Sequence, residues 1–116
     1  MRHKKRKKII SRGVSHRKAL IQSLAKSLII HGKISTTNTK AKIVRSYVER
    51  LITTGKNDNL SSRRKLIRKL NSNKLAHKVI KDISPRYKNR AGGYTKIIKI
   101  GRRKGDGAPL VYITFS

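Results

Sequence analysis

The chain has 116 residues, of which 32 are Lys or Arg and only 4 are Asp or Glu, for a formal net charge of +28, and it contains no cysteine. Disulfides, a thiolate zinc site and a cysteine nucleophile are therefore excluded, and no apolar run approaches the ~20 residues that span a bilayer. So one-sided a charge repels itself in any compact state, so the expected partner is a polyanion, nucleic acid, from which the fold draws part of its stability.

Residues 1–14 carry Arg2, His3, Lys4, Lys5, Arg6, Lys7, Lys8 and Arg12 with no acid and little apolar surface. That composition predicts a basic extension that orders on RNA, although a merely solvated charge run is the plain alternative. Residues 15–116 then read as one domain. Ser15 is a suitable N-cap for a first helix over residues 16–31, with Leu20, Ile21, Leu24, Ala25, Leu28 and Ile29 as its apolar stripe and Gly32 at its end. His16, Arg17 and Lys18 occupy a first turn where the helix dipole favours acids, so a phosphate at the free N–H groups beside Ser15 is the natural complement.

Ile34 centres a short β-prone segment, and Thr37 or Asn38 caps a second helix whose Ala41, Val44, Val48, Leu51 and Ile52 share one face before Gly55 stops it. Asp58 or Asn59 opens a third, with Leu60, Ile67 and Leu70 inward and Arg63, Arg64, Lys65, Arg68 and Lys69 outward or flanking. Leu75, Ala76, Val79, Ile80 and Ile83 trace a fourth, which Ser84-Pro85 ends because the residue before proline avoids the helical region. From Thr95 the chain turns β-branched, and Leu110 to Phe115 alternates apolar residues beyond a glycine-rich connector, the pattern of a C-terminal hairpin. With Ile34 as a third strand, the class is α+β: about four helices on a short three-stranded sheet.

The stretch holding Arg86, Tyr87, Lys88, Arg90, Gly92, Gly93 and Tyr94 combines cations, two rings and two glycines. Such a loop brings backbone close to a phosphate while a ring stacks on a base; alternatively, Tyr87 and Tyr94 close over the core and the glycines serve the turn. Neither glycine cluster is a nucleotide fingerprint, since a strand follows instead of a helix. His3, His16, His31 and His77 lack metal spacing. The acids fall on separate elements, Glu49 reading as a helix ion pair with Arg45 or Arg50, and no serine sits in a nucleophile elbow. No catalytic site, metal, cofactor or small-molecule substrate is therefore expected. A nucleoid-type DNA binder would carry a dimer element or a groove wedge, an RNA-processing enzyme clustered acids, and a membrane-active peptide an unburied apolar stripe.

Met1-Arg2-His3, then Ser15-His16-Arg17-Lys18-Ala19-Leu20, then Ile34-Ser35-Thr36-Thr37 with Lys40-Ala41-Lys42, Glu49 and Leu51-Ile52-Thr53, closely resemble the bacterial large-subunit ribosomal protein seventeen family. Pro85-Arg86-Tyr87, Arg90, Gly92-Gly93-Tyr94-Thr95 and Gly105-Asp106 with Ala108-Pro109 extend the likeness to the C-terminal half, with departures at Ser11, Ser23, Ile30 and Ser35. The resemblance implies a single domain with a short mixed sheet and a basic extension, binding to large-subunit ribosomal RNA, neighbouring ribosomal proteins as partners, and a place near the polypeptide exit tunnel. A chain not forming a free homo-oligomer, in a bacterial cytoplasm or encoded by an organelle, is the expected setting. Three RNA-facing groups follow: the extension with the first helix start; residues 35–42 with Thr36, Thr37, Lys40 and Lys42; and the 86–94 loop with Arg102, Arg103 and Lys104, to which Lys96 is added. Each is expected to touch phosphates more than bases.

Overall fold

The computed structural model describes residues 14–116. Helix α1 (Val14–His31) buries Ala25, Leu28 and Ile29 and ends at Gly32, whose φ of +79° lets its N–H return to the Leu28 carbonyl at 2.7 Å. Ser15 is helical and lies inside the first turn, so it is not the cap expected of it; its N–H is one of those a helix start leaves without an intrahelical partner.

Strand β1 (Lys33–Thr37) leads directly into helix α2 (Asn38–Gly55), and strands β2 (Thr95–Arg102) and β3 (Pro109–Phe115) form the C-terminal hairpin. The sheet order is β1-β3-β2 with both pairs antiparallel, so the mixed sheet implied by the resemblance is antiparallel throughout. β2 and β3 must be antiparallel because a short turn joins them, and β1 runs against β3 from its other side.

All five predicted core residues of α2 are buried. Gly55, however, is the last residue of the helix and itself buried, and its φ is not positive. What requires glycine is proximity: a Cβ there would lie 2.5 Å from Ser84 Oγ and 3.0 Å from Val79 Cγ1. The helix does end at Gly55 as expected, but the glycine is required by the crossing with Val79 and Ser84 and not by a left-handed turn.

Helix α3 (Leu60–Leu70) turns Ser62, Leu66 and Leu70 inward, a four-residue recurrence, while Leu60 is 62% and Ile67 37% exposed. Leu60 and Ile67 are therefore not inward as expected: Leu66 and Ile67 are about 100° apart on a helix, and packing against α2 selects the Leu66 phase. Asn59 Oδ1 accepts from the Ser62 N–H at 2.9 Å and sets where the helix begins.

Helix α4 (Asn73–Lys78), capped by Ser72 Oγ on the Leu75 N–H, does not stop at Ser84-Pro85. It continues through a π turn (Val79–Ile83) into a 3-10 turn (Ser84–Tyr87). Ser84 keeps helical angles ahead of proline because its N–H donates to the Val79 carbonyl and its hydroxyl to the Ile52 carbonyl at 2.9 Å, while Pro85 opens the next turn where no N–H is needed. Leu75, Ala76, Val79, Ile80 and Ile83 are all buried as expected, in one core with α1, α2 and the inner sheet face.

Candidate nucleic-acid interface

Electrostatics organises the surface by scarcity of acid. Each of the four carboxylates faces a cation: Glu49 faces Arg45 at 3.6 Å, Asp58 faces Arg63 at 2.8 Å and Lys81 at 2.9 Å, Asp82 faces Arg86 at 3.3 Å, and Asp106 faces Arg103. Glu49 does more than pair. Its Oε2 accepts from the Thr95 hydroxyl at 2.8 Å and the Thr95 N–H at 3.2 Å, pinning the start of β2 to α2. Among the described residues no cluster of three His, Cys, Asp or Glu side chains could hold a metal, and no helix is long and apolar enough to cross a membrane.

The first predicted group is divided by what the structure describes. Arg2, His3, Lys4, Lys5, Arg6, Lys7, Lys8 and Arg12 lie outside the described residues. Ser15, His16 and Lys18 are exposed and Arg17 half-buried at the α1 start, which has no acid in its first turn.

The second group is built from a strand that becomes a helix without a spacer. Thr37 is the N-cap of α2 with extended angles, φ −71° and ψ 156°, yet its side chain makes no capping hydrogen bond. The first turn of α2 holds no acid, Lys40 lies in that turn, and Lys42 follows exposed. The α2 start thus lacks both of the usual complements to its positive dipole end.

The third group separates. β2 runs eight residues, roughly 23 Å of strand, between the 88–94 loop at one end and Arg102 at the other. The loop is tied to the C-terminal end of β3, with the Ser116 N–H on the Tyr94 carbonyl at 2.8 Å and the Tyr87 hydroxyl on Ser116 O at 2.9 Å. Arg102 pairs with Pro109, and Leu110 is flanked by Gly101 on one side and Thr37 on the other. Register therefore brings the hairpin tip to the sheet end where α2 starts, and separates it from the loop with which it was grouped.

At the tip, Gly105 and Gly107 have φ of +97° and +69°, and Asp106 holds the turn by accepting from Arg103 and, at 3.1 Å, from the Ala108 N–H. These contacts keep the Asp106 carboxyl below the usual carboxylate range. Arg102 donates to the Gly107 carbonyl at 2.8 Å, and Lys104 is exposed with no acid near it in the turn but Asp106. In the other loop, Tyr87 and Tyr94 are buried, their ring centroids 5.2 Å apart, and the Arg90 guanidinium lies 5.7 Å from the Tyr87 centroid. Tyr94 is bounded further: its hydroxyl donates to the Arg90 carbonyl and accepts from Thr53, and the Lys56 ammonium sits 4.6 Å from its centroid. Both rings thus take the core-closing position that was the alternative to base stacking. Arg86, Lys88, Arg90, Gly92 and Gly93 form the outer part of the loop, with Gly93 at φ +66°.

Lys96 stands exposed on the sheet face away from the helices. Three neighbours there were not singled out from sequence: Lys33, Ile98 and Tyr112. Their signal was alternation, since Lys33-Ile34-Ser35 and Tyr112-Ile113 place every second residue on the outer face.

Residues 20–116 match the family profile of ribosomal protein L17. Large ribosomal subunit protein bL17 of Thermus thermophilus is 46% identical over 114 residues, covering 97% of this chain and 97% of that protein. The protein of the same name in Rickettsia bellii is 45% identical over 115 residues, 99% of this chain and 81% of its own length. In Bdellovibrio bacteriovorus the figures are 47% over 113 residues, 97% of this chain and 62% of that protein, so the chain spans less than two thirds of that relative.

Proposed function

The chain belongs to the ribosomal protein L17 family, structural constituents of the large ribosomal subunit and not a class of enzyme, and we propose that it acts by binding and stabilising large-subunit ribosomal RNA. The observation that carries this reading is the sheet end where the α2 start, with Thr36, Thr37, Lys40 and Lys42, meets the hairpin tip with Arg102, Arg103 and Lys104. A helix N-terminus with no side-chain cap and no acid, beside a cationic turn, complements phosphate. The cations of residues 1–14 supply a second contact, and residues 15–116 are the folded unit beside it. The 86–94 loop adds Arg86, Lys88, Arg90 and the backbone of Gly92 and Gly93 at the opposite end of β2, so the protein bridges two RNA segments and screens the repulsion between them.

The setting proposed is the cytoplasmic ribosome near the polypeptide exit tunnel, among neighbouring ribosomal proteins, with no small-molecule substrate and no free homo-oligomer. Sedimentation of cell lysate tests it: the chain is expected to travel with the large subunit through a moderate salt wash, and release into light fractions at all salts would overturn the reading. Titration with large-subunit RNA at several salt concentrations adds the mechanism, because phosphate contacts make log affinity fall linearly with log salt. Equal affinity for double-stranded DNA would point to a nucleoid role instead.

A further inference from the structure

The alternation of burial along β3 divides the sheet into a covered and an open face. Val111 and Ile113 are 1% and 0% exposed against the helices, whereas Leu110, Tyr112 and Thr114 are partly exposed on the other side. Register assembles that open face in rows. Lys33, Thr114 and Lys96 form one, Ser35, Tyr112 and Ile98 the next, and Thr37, Leu110 and Gly101 the third. Tyr112 thus lies on the central strand, with Ile98, 44% exposed, directly beside it and a lysine at either end of the adjoining row. The Lys33 ammonium rests 4.4 Å from the Tyr112 ring centroid. No strand residue is acidic, and the nearby carboxylates, Glu49 and Asp106, are engaged by Thr95 and Arg103.

Resting on the RNA-binding reading above, we propose that this open face is a stacking platform for an unpaired base, with Tyr112 as the stacking ring, Ile98 as its apolar flank, and Lys33 and Lys96 holding the adjoining phosphates. An aromatic ring in the middle of an open antiparallel sheet offers a π-face that any base can use. The surface cation–π contact that now covers it is weaker than a base stack on the same ring, so the Lys33 ammonium moves aside to a phosphate when a base arrives. Charge selects this occupant over the two alternatives. An acid-free face flanked by lysines repels the basic extension of residues 1–14, and one ring with Ile98, Ile100 and the part-exposed Leu110 is still a small apolar area for a protein partner.

The test uses the full chain, single-stranded oligouridylate, and a fully paired RNA duplex of the same length, at raised salt where phosphate contacts weaken and stacking persists. Tyr112→Leu keeps apolar bulk and removes the π-face; it is expected to weaken oligouridylate binding about tenfold and leave duplex binding unchanged, whereas Tyr112→Phe stays within about twofold of the parent. Ultraviolet cross-linking of oligouridylate to the unaltered chain should attach to the Tyr112 peptide. Circular dichroism verifies folding; if Tyr112→Leu is unfolded, the cross-link and Ile98→Ser, expected to weaken the single strand alone, decide. Parent-like oligouridylate binding by a folded Tyr112→Leu, or a cross-link confined to other peptides, overturns the platform while duplex binding leaves the RNA reading intact. Failure to bind either RNA even at low salt, where phosphate contacts are strongest, overturns that reading itself.

Discussion

Two kinds of helix start occur in this molecule. α3 and α4 begin on Asn59 and Ser72, whose side-chain oxygens accept first-turn N–H groups at 2.9 and 3.2 Å. α2 begins on Thr37, which has a hydroxyl able to do the same and does not. The two capped starts lie in the helical layer, where each must fix its own entry into the core. The third lies at a sheet end beside a cationic turn. The same requirement, a partner for free N–H groups, is met internally where the chain packs on itself and left open where an external anion can meet it.

The largest expected effect concerns how tightly the internally satisfied layer is closed. Gly55→Ala gains roughly 1 kcal/mol of helix propensity, but the added methyl group meets Ser84 Oγ and Val79 Cγ1, and Ser84 can yield only by releasing the Ile52 carbonyl. Overpacking of about 1–3 kcal/mol plus a buried hydrogen bond of about 1 kcal/mol outweighs the gain, so net destabilisation of about 1–3 kcal/mol is expected in denaturant melts without RNA. Adding Ser84→Ala removes the nearer of the two obstacles and should recover part of the loss, leaving the Val79 contact. A double-mutant cycle with no coupling would reject this account of the glycine.

The caps themselves give the next effect. Asn59→Ala should cost about 1 kcal/mol in the free protein, the usual value of an N-cap, whereas Thr37→Ala should cost less than about 0.5 kcal/mol because it removes no capping bond. Equal losses at the two positions, read by the same melts, would erase the distinction between closed and open starts.

Element identity was readable from the sequence because periodicity and capping chemistry are local: the buried faces of α1, α2 and α4 and the C-terminal hairpin follow from apolar spacing alone. What was not readable depends on distant partners. Gly55 as a contact point and helical Ser84 before proline are decided by α2 meeting the π turn, residues about thirty apart in the chain, and Leu66 over Ile67 by α3 packing on α2. The site follows the same division. Its cations were visible as composition, but register alone puts the hairpin tip beside the α2 start, and alternation across three strands was needed to find Tyr112. Tyr87 and Tyr94 were ambiguous because a ring between cations reads identically whether it stacks on a base or closes a core.

Substitution of the open end should leave stability almost untouched and alter binding instead. Lys40→Ala and Lys104→Ala are each expected to change the melt by less than about 0.5 kcal/mol, and each to reduce the slope of log affinity against log salt by about 1 if it removes one phosphate contact. Arg103→Ala should act differently, since its guanidinium holds Asp106 and the turn. A loss of affinity with an unchanged salt slope at Lys40 and Lys104 would show that they shape the site without touching phosphate.

The smallest effect is an acid-dependent loosening at Asp58, which clamps the approach to α3 onto the π turn through Arg63 and Lys81. Hydrogen bonds from Arg63, then Lys81, lower its pKa from the ordinary aspartate value of 3.8 to about 2. A carboxyl whose folded pKa is depressed contributes fully above its unfolded pKa and loses that contribution as pH falls to the folded value. The clamp is therefore intact at neutral pH and released between about pH 4 and pH 2, a window set by those two values. The residue is exposed, so screening keeps the effect small and makes it shrink with added salt. Melts of Asp58→Asn should accordingly run below the parent at pH 7 and converge on it near pH 2, while the offset at pH 7 narrows in high salt. A pH-independent, salt-independent offset would mean that Asp58 acts through loop geometry instead of charge. The acid-poor surface makes this difference informative, because the chain has only three other acidic side chains.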